Sequence, residues 1–69
     1  MVEVFKTNVQ TQEQADGIIE HLLVLFPNSK IGFDLEDCDK VLRVESDFFS
    51  MIELETALQT LDFQYENLI

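Results

Sequence analysis

Sixty-nine residues, 46% of them hydrophobic and including six Phe but only two Gly and one Pro, describe one globular domain and not a disordered chain. A domain of this size buries only about 60% of its unfolded surface, which argues against a deep substrate cavity. Fourteen acids against four bases leave a net charge of −10, which speaks against nucleic acid or an anionic membrane surface and toward a cationic partner, and a single cysteine, Cys38, excludes an internal disulfide.

The chain opens without a basic n-region or an apolar h-region, so a reducing cytoplasmic setting is expected. Its longest apolar run, Leu22–Phe26, is far short of the ~20 residues of a membrane span. Met1–Val9 mixes Val2, Val4, Phe5 and Val9 with Glu3, Lys6 and Thr7, a β-rich composition whose blurred alternation predicts a central strand. The polar stretch Thr7–Gln14, TNVQTQEQ, follows. It contains no thiol, imidazole, lysine or glycine cradle.

Ala15, Ile18, Ile19, Leu22, Leu25 and Phe26 recur at three- and four-residue spacing, the apolar stripe of an amphipathic helix. Thr11 followed three residues later by Gln14 marks its start, because each side chain can satisfy the other's orphan backbone N–H. Glu13 and Asp16 are expected in the first turn, where the helix dipole favours acids. Pro27 ends the helix by driving its predecessor out of the α region.

Ile31, Phe33 and Leu35 then alternate with polar residues or glycine, as do Leu42 and Val44, and the polar reversal Glu36–Lys40 joins the two runs as an antiparallel hairpin. A second helix is expected to start at Ser50, with Ser50 and Glu53 as another capping box and Phe49 stapled onto Leu54. Leu54, Ala57, Leu58 and Leu61 form its buried stripe, which ends near Asp62. Phe63–Ile69 is a short final strand. The order βαββαβ predicts an α+β, ferredoxin-like sandwich over residues 1–69, with both helices on one face of an antiparallel sheet.

In this pattern the chain resembles the heavy-metal-associated domain, the small βαββαβ module of copper chaperones and metal-transporting ATPases. The alignment puts Asn8 at the glycine of that family's G-M-T-C-x-x-C loop, Val9 at the buried methionine, Thr11 at the first cysteine and Gln14 at the second. Ser50–Phe63, SMIELETALQTLDF, resembles the family's second helix and the aromatic after it. The family's two thiolates suit soft Cu(I); a threonine hydroxyl and a neutral amide do not. Thr11 and Gln14 therefore predict a cap where the family keeps its metal, and family metal transfer does not carry over.

Other chemistry is sparse. Cys38 sits between Asp37 and Asp39, a poor setting for a nucleophilic thiolate. His21 has no second histidine one turn away with which to hold zinc. The acids Asp34, Glu36, Asp37 and Asp39 lack the spacing and glycine of a calcium loop, and Gly17 and Gly32 are isolated and form no phosphate cradle. No acid, base and nucleophile come together, so neither an enzyme nor a cofactor is expected. The cations Lys6, Lys30, Lys40 and Arg43 fall on or beside the strands, whereas the helices carry Glu13, Asp16, Glu20, Glu53 and Glu55. These acids are the candidate contacts of an interaction module with a basic partner or with itself, through the open sheet or an edge strand. The competing reading is a metal-binding protein with a site lacking the two cysteines, built from Cys38, Asp37 and Asp39 or from the Thr11 loop with His21.

Overall fold

A computed structural model describes residues 2–47 and 50–68. Six elements follow in order: β1 (Val2–Thr7), α1 (Gln12–Leu25), β2 (Lys30–Asp34), β3 (Val41–Glu45), α2 (Met51–Thr60) and β4 (Tyr65–Asn67). The strands form one sheet in the order β2-β3-β1-β4, with every pair antiparallel. The fold is α+β and ferredoxin-like, and β1 is central as its composition predicts.

The core is built from one sheet face and one stripe of each helix. Phe5 from β1 and Leu42 and Val44 from β3 are buried against Ala15, Ile18 and Leu22 of α1 and Leu54, Ala57 and Leu58 of α2. Each large apolar side chain among them contributes on the order of 2 kcal/mol relative to exposure. Phe5 also meets Tyr65 of β4 edge-on, with ring centroids 5.9 Å apart. Both helices thus cover the same face of the sheet. The blurred alternation of β1 has its cause here: Phe5 and Thr7 point into the core, while Val2 and Val4 lie half-buried on the opposite, open face.

Both helix starts fall where the sequence places them, but only one closes its box. At Thr11 the hydroxyl accepts from Gln14 N–H at 3.1 Å, and the Gln14 amide oxygen accepts from Thr11 N–H at 3.3 Å and from Gln10 N–H at 3.0 Å. At Ser50 the cap residue is extended, with φ −87° and ψ 130°, yet its side chain makes no cap hydrogen bond; the Ser50 carbonyl accepts from Leu54 N–H at 3.0 Å instead. The expected Ser50–Glu53 box is corrected accordingly, and the Phe49 staple falls outside the described residues. Asp16 also lies beyond the first turn of α1, where its carboxylate accepts from the Gln12 side chain at 2.8 Å, so Glu13 alone meets the N-terminal dipole. The last strand starts at Tyr65 and not at Phe63, because Phe63 and Gln64 belong to the turn that brings the chain back to the sheet; the expected strand end at Ile69 falls outside the described residues.

Candidate functional site

Chain direction sorts the connections onto two ends. The register pairs Thr7 with Tyr65 and Asp34 with Val41, so the β1–α1 loop, the β2–β3 reversal and the α2–β4 turn share one end. Lys30 pairs with Glu45, which puts the C-terminus of α1 and the N-terminus of α2 at the other.

At the first end Thr7–Gln14 is tied down from every side. Thr7 is buried; its N–H donates to Asp39 O at 3.0 Å, its hydroxyl donates to Lys40 O, and the same oxygen accepts from Val9 N–H at 3.3 Å. Asn8 N–H donates to Gln64 O at 3.3 Å, and Gln64 N–H returns a bond to the Asn8 side chain at 3.0 Å. Val9 is 2% exposed and packed into the core. Asn8, Val9, Gln14, Ile18, Leu61 and Phe63 border a depression of about 240 Å³ beside the loop. The side-chain oxygens of Thr11 and Gln14 are each engaged by backbone N–H groups in the cap.

The β2–β3 reversal holds the other group of potential donors. Asp37, Cys38 and Asp39 place their ligand atoms within 4.8 Å of one another, the one such group among the described residues. The carboxylates already serve the turn. Asp37 accepts from Asp39 N–H at 2.9 Å, Asp34 accepts from Asp37 N–H at 3.3 Å, and Asp39 lies 3.7 Å from the Lys6 ammonium. Lys40 takes the left-handed conformation, φ 48°, and sends its ammonium to Leu35 O at 2.9 Å, which closes the reversal. Cys38 is an exposed free thiol. His21 is exposed on α1 about 15 Å along the axis from Thr11, so the two do not share a site.

Charge is the property the fold sorts most cleanly. Lys6, Lys30 and Arg43 point to the open sheet face, where the register sets Lys6 opposite Glu66 and Lys30 opposite Glu45, with Asp34 at the edge. Three cations and three acids give that face a net charge of zero, and the rest of the chain, one cation and eleven acids, carries the whole −10. Glu13, Asp16 and Glu20 form an exposed stripe along α1; on α2 Glu53 is exposed and Glu55 half-buried. Val24 and Ile52, 79% and 78% exposed, interrupt this acidic surface near its shared end. A shallow hollow of about 450 Å³ lies over β2 and β3, opened by the missing side chain at Gly32 between Lys30, Asp34 and Arg43.

No protein-family model matches the chain, and the comparison with curated proteins found no match. No helix among the described residues is long and apolar enough to cross a membrane.

Proposed function

We propose that the chain is a non-catalytic interaction module whose helical face docks a basic protein partner. The observation that carries this reading is the partition of charge: neutral on the open sheet, −10 elsewhere, with no Lys or Arg in either helix. Such a surface raises the encounter rate with a cationic partner and opposes acidic ones, and the effect weakens as salt screens it. Val24 and Ile52 add apolar contacts to the same surface, so the partner is a basic segment with apolar residues among its cations. The one cysteine lies exposed in the β2–β3 reversal and the one histidine lies exposed on α1, and among the described residues no hydrogen bond joins either to a nucleophile–base pair, which favours binding over catalysis.

A lysine-rich amphipathic peptide titrated into ¹⁵N-labelled protein tests this. Shifts concentrated on α1 and α2, with affinity falling steeply in salt, are expected. Reversal of Glu13, Asp16 and Glu20 to Lys should weaken binding about 10- to 100-fold through loss of both steering and rim attraction. Binding indifferent to those reversals, or confined to the sheet, would overturn it.

A competing reading is a metal site at Asp37, Cys38 and Asp39, favoured by their mutual proximity. Uptake of Zn²⁺ or Ca²⁺ in native mass spectrometry that disappears on Asp37→Asn would establish it; no uptake at micromolar metal removes it.

A further inference from the structure

β2 is an edge strand, hydrogen-bonded to β3 on one side and, among the described residues, to no other strand on the second. Its sequence, KIGFD, has an unusual property when laid antiparallel on itself about Gly32. Lys30 falls opposite Asp34 of a second copy, Ile31 opposite Phe33, Gly32 opposite Gly32, and the two remaining pairs repeat by symmetry. A two-fold interface of this kind must be self-complementary, and this strand is.

We propose that the β2 edge pairs with the β2 edge of a second copy, giving a two-fold dimer with one continuous eight-stranded sheet. Charges at both ends of an edge strand ordinarily blunt it against pairing. Here their four-residue spacing turns them into two cross-strand ion pairs in the self-register, whereas a one-residue slip sets Lys30 opposite Leu35 and Asp34 opposite Ile31 and moves every side chain to the other face. Among the described residues neither head group has an ionic partner, and the Asp34 carboxylate accepts only the 3.3 Å bond from Asp37 N–H.

Apolar surface continues the match. Ile31 and Phe33 pack against the core but stay half-exposed at this edge. Gln14 and Ile18 line the depression next to Leu61 and Phe63, which turns that flank of α1 toward the end of α2. The opposite flank, carrying Ile19 and Leu23, therefore lies over the β2 side, where α1 packs. Leu23 is 36% exposed. Joining the edges covers Ile31, Phe33, Ile19 and Leu23 together. A Cβ built at Gly32 meets no heavy atom within 4 Å, so a side chain introduced there has room on the open face.

Net repulsion between two chains of charge −10 does not forbid this, because at physiological ionic strength charges beyond about 8 Å are largely screened and the edge itself carries one cation and one acid. The acidic stripe of Glu13 and Glu20 remains free. The dimer and the binding of a basic partner are separate properties, and either can fail without the other.

Sedimentation equilibrium from micromolar to millimolar protein reads the association. Lys30→Asp alone and Asp34→Lys alone should each weaken it roughly ten-fold, since both ion pairs become like-charge pairs. An equimolar mixture of the two variants should restore it as a heterodimer, because each then meets the opposite charge at both positions. Gly32→Cys in a Cys38→Ser background should cross-link rapidly under mild oxidation, its thiols lying across the two-fold axis; Val24→Cys in the same background should not. A wild-type protein that stays monomeric at millimolar concentration overturns the proposal. So does a dimer unmoved by the single reversals, a mixture that remains monomeric, or cross-linking no faster than that of Val24→Cys. Circular dichroism of each variant checks the fold, and recovery in the mixture demonstrates folded components directly.

Discussion

The two helices begin with the same kind of sequence and end up held differently. Thr11-x-x-Gln14 and Ser50-x-x-Glu53 carry the same capping pattern, yet Thr11 closes a reciprocal box and Ser50 makes no side-chain bond. What differs lies outside the four residues. Upstream of Thr11, Val9 is buried, Thr7 is bonded to Asp39 and Lys40, and Asn8 is bonded to Gln64 just before the neighbouring strand β4. That anchoring fixes the direction in which the chain enters the helix. Ser50, exposed and with a less extended φ, has its backbone in place and its hydroxyl left to solvent. A capping motif locates a helix start; the preceding chain decides whether the side chains are used.

The largest expected effect is therefore at the anchor, not the cap. Thr7→Val keeps the shape but leaves the Lys40 carbonyl and the Val9 N–H without their buried partner. An unsatisfied buried group costs about 1–3 kcal/mol, so a loss of about 2 kcal/mol is expected in urea unfolding. A loss under about 0.5 kcal/mol would mean that water replaces the hydroxyl and that the loop is not organised from Thr7.

Thr11→Ala comes next, at about 1 kcal/mol, or 4–8 °C in thermal midpoint for a domain of this size. Its second readout is sharper than the first. If Thr11 serves only as a cap, the affinity for Cu(I) or Zn²⁺, whatever it is, should be unchanged. A shifted metal affinity would return the loop to the role it has in the resembling family.

How much of this was legible in the sequence follows the range of the interaction. The buried faces of α1 and α2 were readable because Ala15, Ile18 and Leu22, and Leu54, Ala57 and Leu58, repeat at helical spacing. The Thr11 box was readable because both partners lie within four residues. The role of Thr7 was not, since its hydroxyl reaches a carbonyl 33 residues away, and the Asn8–Gln64 exchange spans 56. Local spacing also read Asp16 as a first-turn acid, where the observed start at Gln12 puts it one position too far along. The mixed charge of the open face was readable, because all four cations fall on or beside the strands and none in a helix; the self-matching edge depends on strand order, which no local pattern encodes. Only the alternation in KIGFD hinted at the second.

Ser50→Ala should have the smallest effect, and it separates two explanations of the open box. If the hydroxyl is idle, as its missing bond indicates, removing it costs within about 0.5 kcal/mol, less than half the loss at Thr11. If the box at Ser50 closes in solution, the cost rises to about 1 kcal/mol and the asymmetry between the helices disappears. Equal losses at Thr11 and Ser50, measured in the same buffer by the same denaturant, would show that the sequence motif alone governs capping. A clear inequality would assign the difference to Thr7, Asn8 and Val9. Combining Thr7→Val with Thr11→Ala then tests the link: with the anchor gone, the second substitution should cost less than it does alone, because residues sharing one hydrogen-bonded loop are not additive.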